Sequence, residues 1–371
     1  MTSTPTALWV VPVPDFGGVA RHVVDMARAG LPGFNLVVLA PEGKLTSRLE
    51  ELGVPVVKAE FGPDYGFKTS FASLMKAVEQ LRPEIVHSHL AYADVVAVAV
   101  VNALRMHHLL QRSVWVPRLL TTEHGIAGND SVYHGSSWRS KLMETVHRVR
   151  LWGTDQAIAV SRSTAEQMHA KWGARSVELV YNGVDIPEVA AAVAEQRVPV
   201  EGGPRILSLS RLSPEKGIDV LLDAFARLRE EYPQAHLEIA GSGDLGEELK
   251  AHAKRLNLGD SVTFSGFVNP IEAMGRSDMI VQLSVWENCS YTLLDAKAAG
   301  LKTVATAVGG NPEILEADEL VDRQSPKLTE DVLQAMRRQL QKGEAEPFTW
   351  ISNEQMAAQT AHIYTRILEK K

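Results

Sequence analysis

Short apolar runs rich in β-branched residues alternate with longer helical patterns along this chain, and the alternation occurs as two successive series. The first has candidate strands at 8–13, 35–39, 55–58, 85–88, 119–122, 156–160 and 177–180, with helical patterns from about Gly18, near Thr46 and over 94–104. The second has candidate strands at 205–209, 235–240, 262–264, 279–283 and 302–305, with helices over 217–231, 246–256 and 291–299. Strand, helix, strand in succession is the pattern of parallel sheets with crossover helices, so each series predicts one doubly wound α/β domain. Between them, after Asn182 and Gly183, comes an Ala-rich polar stretch closed by Pro199, Gly202, Gly203 and Pro204, residues that favour turns over core. The expected organisation is a first domain over 1–185, a linker over 186–204, a second domain over 205–350 and a terminal amphipathic helix within 351–371.

At 371 residues the chain is long enough for two such cores. Its 45% hydrophobic and 22% charged content is that of a globular protein, which excludes extended disorder. A net charge of -7 argues against a nucleic-acid binder, whose phosphate contacts need a basic surface. One cysteine, Cys289, leaves no intrachain disulfide and no multi-cysteine metal site, which fits a reducing, cytoplasmic setting. No secretory leader is expected in 1–7, and the apolar stretch 95–104 is shorter than the roughly 20 residues that span a bilayer.

Open α/β folds bind ligands beyond the carboxyl ends of their strands, so chemistry is expected in the strand-to-helix loops, at a cleft between the two domains. The loop after the first strand of the second series carries Arg211 and Lys216. Two cations at this spacing can clamp a diphosphate and stabilise the charge it gains on leaving, without a metal. Glu287 and Asp295 bracket a later loop-to-helix transition; with Glu287 in the loop both can turn to one side, and Asp295 can accept from vicinal hydroxyls such as those of a ribose. Gly17 and Gly18 follow the first strand, where open backbone and a helix N-terminus suit a phosphate or a sugar edge. His87, His89 and His124 stand near the ends of later strands of that series. Gly241-Ser-Gly243-Asp-Leu-Gly246 is a formal GxGxxG, but it follows the second strand of its series, where a dinucleotide fingerprint follows the first. Its glycines are expected to make a tight turn and bring backbone N–H groups near a nucleotide. No DxD triplet, a common sign of a metal-held sugar nucleotide, occurs.

The Arg211-x4-Lys216-Gly217 loop, the Gly241 turn, residues 262–268, the Glu287-x7-Asp295 element and Ala307-Val-Gly309-Gly310-Asn311-Pro312-Glu313 follow one another in an order that resembles the retaining family 4 glycosyltransferases (glycosyl transferases group 1). The resemblance covers nearly the whole chain. It implies the GT-B fold, two Rossmann-like domains facing across a cleft, with the last helix crossing back onto the first. It implies transfer of a sugar from a UDP- or GDP-linked donor, a substrate and not a cofactor, to a glycan or lipid-linked acceptor in polysaccharide or glycoconjugate synthesis. Arg211 and Lys216 would hold the donor diphosphate, Asp295 the ribose and Glu287 the sugar, with Asn288, Ser290, Tyr291 and Thr292 completing that segment. Gly241, Phe267 and Val268 would lie by the nucleotide, Gly17 and Gly18 near the distal phosphate, and His124 near the reaction centre. No metal ligands are implied. The chain departs from the family in ending its acidic element with Asp295 in place of Glu, and in offering Asn288, Cys289 and Ser290 where Gly-Phe-Gly is frequent.

Two other readings stay open: a sugar-nucleotide 2-epimerase on a related fold, and a non-catalytic binding or assembly protein. Residues 138–152 read as a basic amphipathic helix, with Trp138, Leu142, Val146 and Val149 on one side and Arg139, Lys141, Arg148 and Arg150 elsewhere. That is either the solvated face of a packed helix or a peripheral contact with an anionic membrane.

Overall fold

Parallel strands flanked by helices build both halves of the chain. The computed structural model describes residues 4–111, 115–126, 137–198, 202–343 and 346–370 and separates two units, 1–183 with 351–371, and 184–350. Among the described residues of the first unit, the strands are β1 (Thr6–Val10), β2 (Asn35–Ala40), β3 (Val56–Lys58), β4 (Ile85–His89), β5 (Arg118–Glu123), β6 (Gln156–Ala159) and β7 (Val177–Leu179). They form one parallel sheet in the order β3-β2-β1-β4-β5-β6-β7. Both faces of β1 are covered, and Ala7, Leu8, Trp9 and Val10 are fully buried, which is why its sequence reads as a continuous apolar run.

In the second unit, β8 (Arg205–Leu209), β9 (His236–Ala240), β10 (Val262–Gly266), β11 (Met279–Gln282), β12 (Lys302–Thr306) and β13 (Leu320–Val321) are parallel in the order β10-β9-β8-β11-β12-β13. The order reverses beside the first strand of each unit, between β1 and β4 and between β8 and β11. Such switch points open a crevice at the carboxyl ends of the strands.

The expected linker is not one. Ile186–Glu195 is a helix of the second unit, with Asp185 accepting from the Glu188 amide at its start, Pro in the first turn, and Val189 and Val193 buried. Alanine is the best helix former, so the Ala-rich stretch coils. The helix Ala91–Gln111 is 21 residues long, and its length and composition would allow it to cross a membrane. Here it is a core helix: Ala93, Val96, Ala97, Val100 and Val101 are fully buried in one cluster with Leu8, Val10 and Val86.

The basic amphipathic reading of the helix Ser137–Trp152 fails at its described end. Arg150 is 1% exposed and pairs with both Asp94 and Glu123, while Val149 is 59% exposed. Two carboxylates on neighbouring elements draw the guanidinium inward and leave Val149 facing out. The side chains of Trp138, Arg139, Lys141 and Leu142 lie outside the described residues.

The last helix, Asn353–Glu369, belongs to the first unit and is tied there by a buried chain of hydrogen bonds. The Trp9 indole donates to Tyr364 Oη at 2.8 Å, Tyr364 Oη meets His87 Nδ1 at 2.5 Å, and His87 Nε2 meets Thr122 Oγ1 at 2.8 Å. Gly183 lets the returning segment close in, since a Cβ there would lie 2.7 Å from the Ser352 carbonyl oxygen. Tyr364→Phe leaves the Trp9 N–H buried and unpaired, so we expect a loss of about 1 to 3 kcal/mol in urea melts.

Candidate functional site

In the second unit, the loops after β8, β11 and β12 meet at the switch point. Lys216 Nζ donates to Glu287 Oε1 at 2.5 Å and to Ser284 Oγ at 3.3 Å, and Ser284 Oγ donates to the same carboxylate oxygen at 2.8 Å. The pair is mostly buried, with Lys216 17% and Glu287 15% exposed. Arg211 is 71% exposed and pairs at 3.0 Å with Glu215, which is buried and also accepts from Ser213. Burial pushes the Glu215 carboxyl up, but the Ser213 hydroxyl, with Arg211 and Lys216, holds it below the usual range. The two cations expected at a diphosphate are therefore each matched to a carboxylate, Lys216 to the one expected to meet the sugar.

Backbone packing fixes these loops. The Val285 amide donates to the Glu215 carbonyl at 2.7 Å, and the Gly217 backbone, at φ 60°, presses on Leu283. Gly309 has φ 55°, and a Cβ on it would fall 1.6 Å from the Glu287 carbonyl oxygen. A side chain there must displace Glu287 itself. Gly309→Ala is accordingly expected to leave the second core folded, by circular dichroism, while weakening nucleotide binding at least tenfold by calorimetry.

The tight turn expected at Gly241 is present, and its own amide is used within the fold. Its amide donates to the Gly266 carbonyl at 2.7 Å and is committed to the fold, and a Cβ on it would lie 1.9 Å from the Ser210 carbonyl oxygen. Gly243 is pressed on Leu212 in the same way. Gly241 and Gly243 bring the β9 loop against the Arg211 loop.

The other expected residues are spread along this edge. Asp295 is 3% exposed within the helix Tyr291–Ala298, and Asn288 and Ser290 are buried before it, with Ser290 capping the helix through the Leu293 amide. Tyr291 and Thr292 are half-buried on the first turn, Val268 is half-buried, and Phe267 stands 86% exposed after β10. Sequence reasoning missed Ser284, which joins Lys216 to Glu287. It also missed Trp286, whose Nε1 is buried with no partner among the described residues in the loop that carries Glu287; Asn311, in the motif named above, likewise has a buried Oδ1 without one. Nothing in the spacing marks Ser284 or Trp286; the strand order brings them there.

In the first unit, Gly17 and Gly18 follow β1, His89 ends β4 and His124 follows β5. A Cβ on Gly17 or Gly18 would meet no atom within 4 Å, so neither packing nor a left-handed backbone demands glycine at this helix start. His89 Nδ1 lies 2.9 Å from His124 Nε2, and His22 Nδ1 meets Asn182 Oδ1 at 3.2 Å. His22, His89 and His124 each place a ring nitrogen within 4.8 Å of the others. Burial lowers His22 to about 4 against the pull of Asn182, and lowers His87 to about 3; His89 and His124 are also pushed well below the usual imidazole range by burial and by their histidine neighbours. The cluster is neutral at pH 7. Leu90, straight after His89, has φ 74°, a conformation strained for a bulky residue and typical of functional edges. Arg150, through Glu123, steadies the end of β5 from which His124 emerges.

Residues 16–188 match the family described as Glycosyltransferase Family 4, and residues 192–346 match Glycosyl transferases group 1. The chain is 26% identical over 80% of its length to 72% of the mannosylfructose-phosphate synthase of Agrobacterium fabrum. It is also 26% identical over 81% of its length to 77% of a glycogen synthase of Mycobacterium tuberculosis. Among solved structures, HepE of Anabaena in complex with UDP-glucose is similar in fold, with a TM-score of 0.71, 20% identity, and coverage of 98% of this chain and 95% of that one.

Proposed function

The chain belongs to the group 1 glycosyltransferases of the GT-B fold, and from that premise we propose that it moves a sugar, with retention, from a UDP- or GDP-linked donor to a hydroxyl of a glycan or lipid-linked acceptor. The observation that carries this reading is the Lys216, Ser284 and Glu287 cluster at the switch point of the second sheet, with Arg211 on the same loop as Lys216. Lys216 and Arg211 take the donor diphosphate, and Glu287 turns from the ammonium to the sugar hydroxyls. Asp295 serves the nucleoside ribose, while Gly17, Gly18 and His124 act on the sugar and distal phosphate. The bond from the anomeric carbon to the diphosphate breaks as that carbon bonds the acceptor oxygen on the same face, and the acceptor proton passes to the departing diphosphate oxygen. Two fixed cations stabilise the charge that develops there, so this step calls for no divalent ion at the diphosphate.

Measuring diphosphate release from a panel of UDP- and GDP-sugars, with and without glycan and lipid-linked acceptors, tests the proposal. Acceptor-dependent release from one donor class, with the donor's anomeric configuration kept in the product by NMR, is the expected result. Free epimerised sugar without an acceptor would favour the 2-epimerase, and nucleotide binding with no release would favour a binding protein.

For a lipid-linked acceptor, peripheral contact with an anionic membrane is supported by the exposed Val149 and Trp152, with the Arg175 guanidinium 5.5 Å over the Trp152 ring. Flotation on phosphatidylglycerol vesicles is expected to fall several-fold in the V149S/W152S variant. Equal flotation on neutral vesicles would remove this contact.

A further inference from the structure

His22 lies on the helix Gly18–Ala29, His89 ends β4 and His124 follows β5, so three separate elements bring three imidazoles together. Their nearest ring nitrogens are 2.9 Å apart, between His89 and His124, and all three lie within 4.8 Å. Two nitrogens bound to one tetrahedral zinc ion at about 2.0 to 2.1 Å stand about 3.3 Å from each other, so the observed spread brackets that of a zinc site.

His22 Nδ1 meets Asn182 Oδ1 at 3.2 Å, an outer partner of the kind that orients a metal-bound histidine. Between His89 Nδ1 and His124 Nε2 there is room for one proton, and a cation can take its place. His89 Nε2 is buried with no partner among the described residues, so no second hydrogen bond fixes which nitrogen that ring presents. The group contains no carboxylate, and an all-imidazole donor set selects zinc, cobalt, nickel or copper over magnesium or calcium.

We propose that His22, His89 and His124 form a three-histidine site for a divalent transition ion of the zinc type, and that its occupation inhibits sugar transfer. The inhibitory part rests on the function proposed above, in which His124 serves the reaction centre: an ion coordinated by His124 holds that ring within the cluster and away from the substrate. The site differs in kind from a metal-held diphosphate, because it lies in the first unit and offers no oxygen ligand.

Tag-free protein, stripped with EDTA and then titrated with cobalt(II) in the absence of nucleotide, tests the site without reference to activity. One equivalent giving the intense visible absorption of four-coordinate cobalt, displaced by zinc, with a rise of several degrees in Tm at excess zinc, is expected. His22→Gln and His89→Gln should each abolish the band, and the H107Q/H108Q control, on the exposed end of a different helix, should keep it. Melting of each variant in EDTA identifies any that fails to fold; His22→Gln, from a single helix face, is the safer of the two. A band that persists in folded His22→Gln, or only the weak absorption of six-coordinate cobalt, overturns the site. Stoichiometric zinc should then lower transfer at least tenfold, reversed by EDTA. A cobalt band with undiminished transfer overturns the inhibition alone, and a band in a protein with no transfer under any condition contradicts the transferase reading and leaves the metal site standing.

Discussion

Lys216→Ala is expected to lower turnover by about 10² to 10³ while the protein stays folded. The magnitude is that of removing one fixed donor from a site where negative charge develops. Lys216 is the better placed of the two cations: it is 17% exposed and held by Ser284 and Glu287. Its charge matters most as the diphosphate departs, so kcat should fall further than KM rises. Removing it also leaves Glu287 beside Ser284 without its counter-charge, and Lys216→Arg, which keeps a cation, should recover part of the rate. Arg211→Ala changes the rate in the same direction, with a smaller effect on the resting site because its side chain is 71% exposed. Full activity in Lys216→Ala, with circular dichroism and Tm confirming the fold, would remove the diphosphate assignment.

Acidification from pH 7 to pH 5 is expected to destabilise the first unit strongly. Folded His22 titrates at about 4 and His87 at about 3, both below the ordinary imidazole value of 6.5 that holds in an unfolded chain. The folded state therefore keeps these rings neutral while the unfolded state takes up protons. The stability is fully present above about pH 6.5 and is lost progressively as pH falls towards the folded values. At pH 5 the linkage amounts to about 2 kcal/mol per histidine. His89 and His124 act in the same direction. For a unit of this size the two histidines together imply a drop in Tm of about 10 °C. Urea melts at pH 7.5 and 5.0 measure it, and His87→Gln should flatten the slope by about one proton. A midpoint that does not move over this range would mean that the histidines are not buried as described.

Much of this molecule is readable from its sequence, because both sheets are parallel and covered on both faces. Strands such as β1 and β11 must then be short apolar runs, and crossover helices must separate them. The end of the chain is legible as well, since Asn353–Glu369 keeps its apolar face at helical spacing. Three features were not, each for a physical reason. The helix Ile186–Glu195 was hidden by the prolines and glycines just after it, although Asp185, Pro187 and the alanine run are sound helix signals. Arg150 looked solvated because its partners, Asp94 and Glu123, lie 56 and 27 residues away and reach it only through the order of β4, β5 and β6. The histidine group is of the same kind: His22 lies on a helix, His89 ends β4 and His124 follows β5, and no spacing rule joins them. Gly241 and Gly309 were correctly placed in loops, but the sequence does not distinguish a glycine that serves a ligand from one that another strand's carbonyl presses upon.

Whether the loops after β8, β11 and β12 hold a nucleoside diphosphate is decided by isothermal titration of the wild-type protein and of Lys216→Ala with UDP, GDP, ADP and their sugar conjugates. One base should be preferred, and its affinity should fall at least tenfold in the variant. Binding of none of these nucleotides, or equal binding by both proteins, would contradict the assignment of this site.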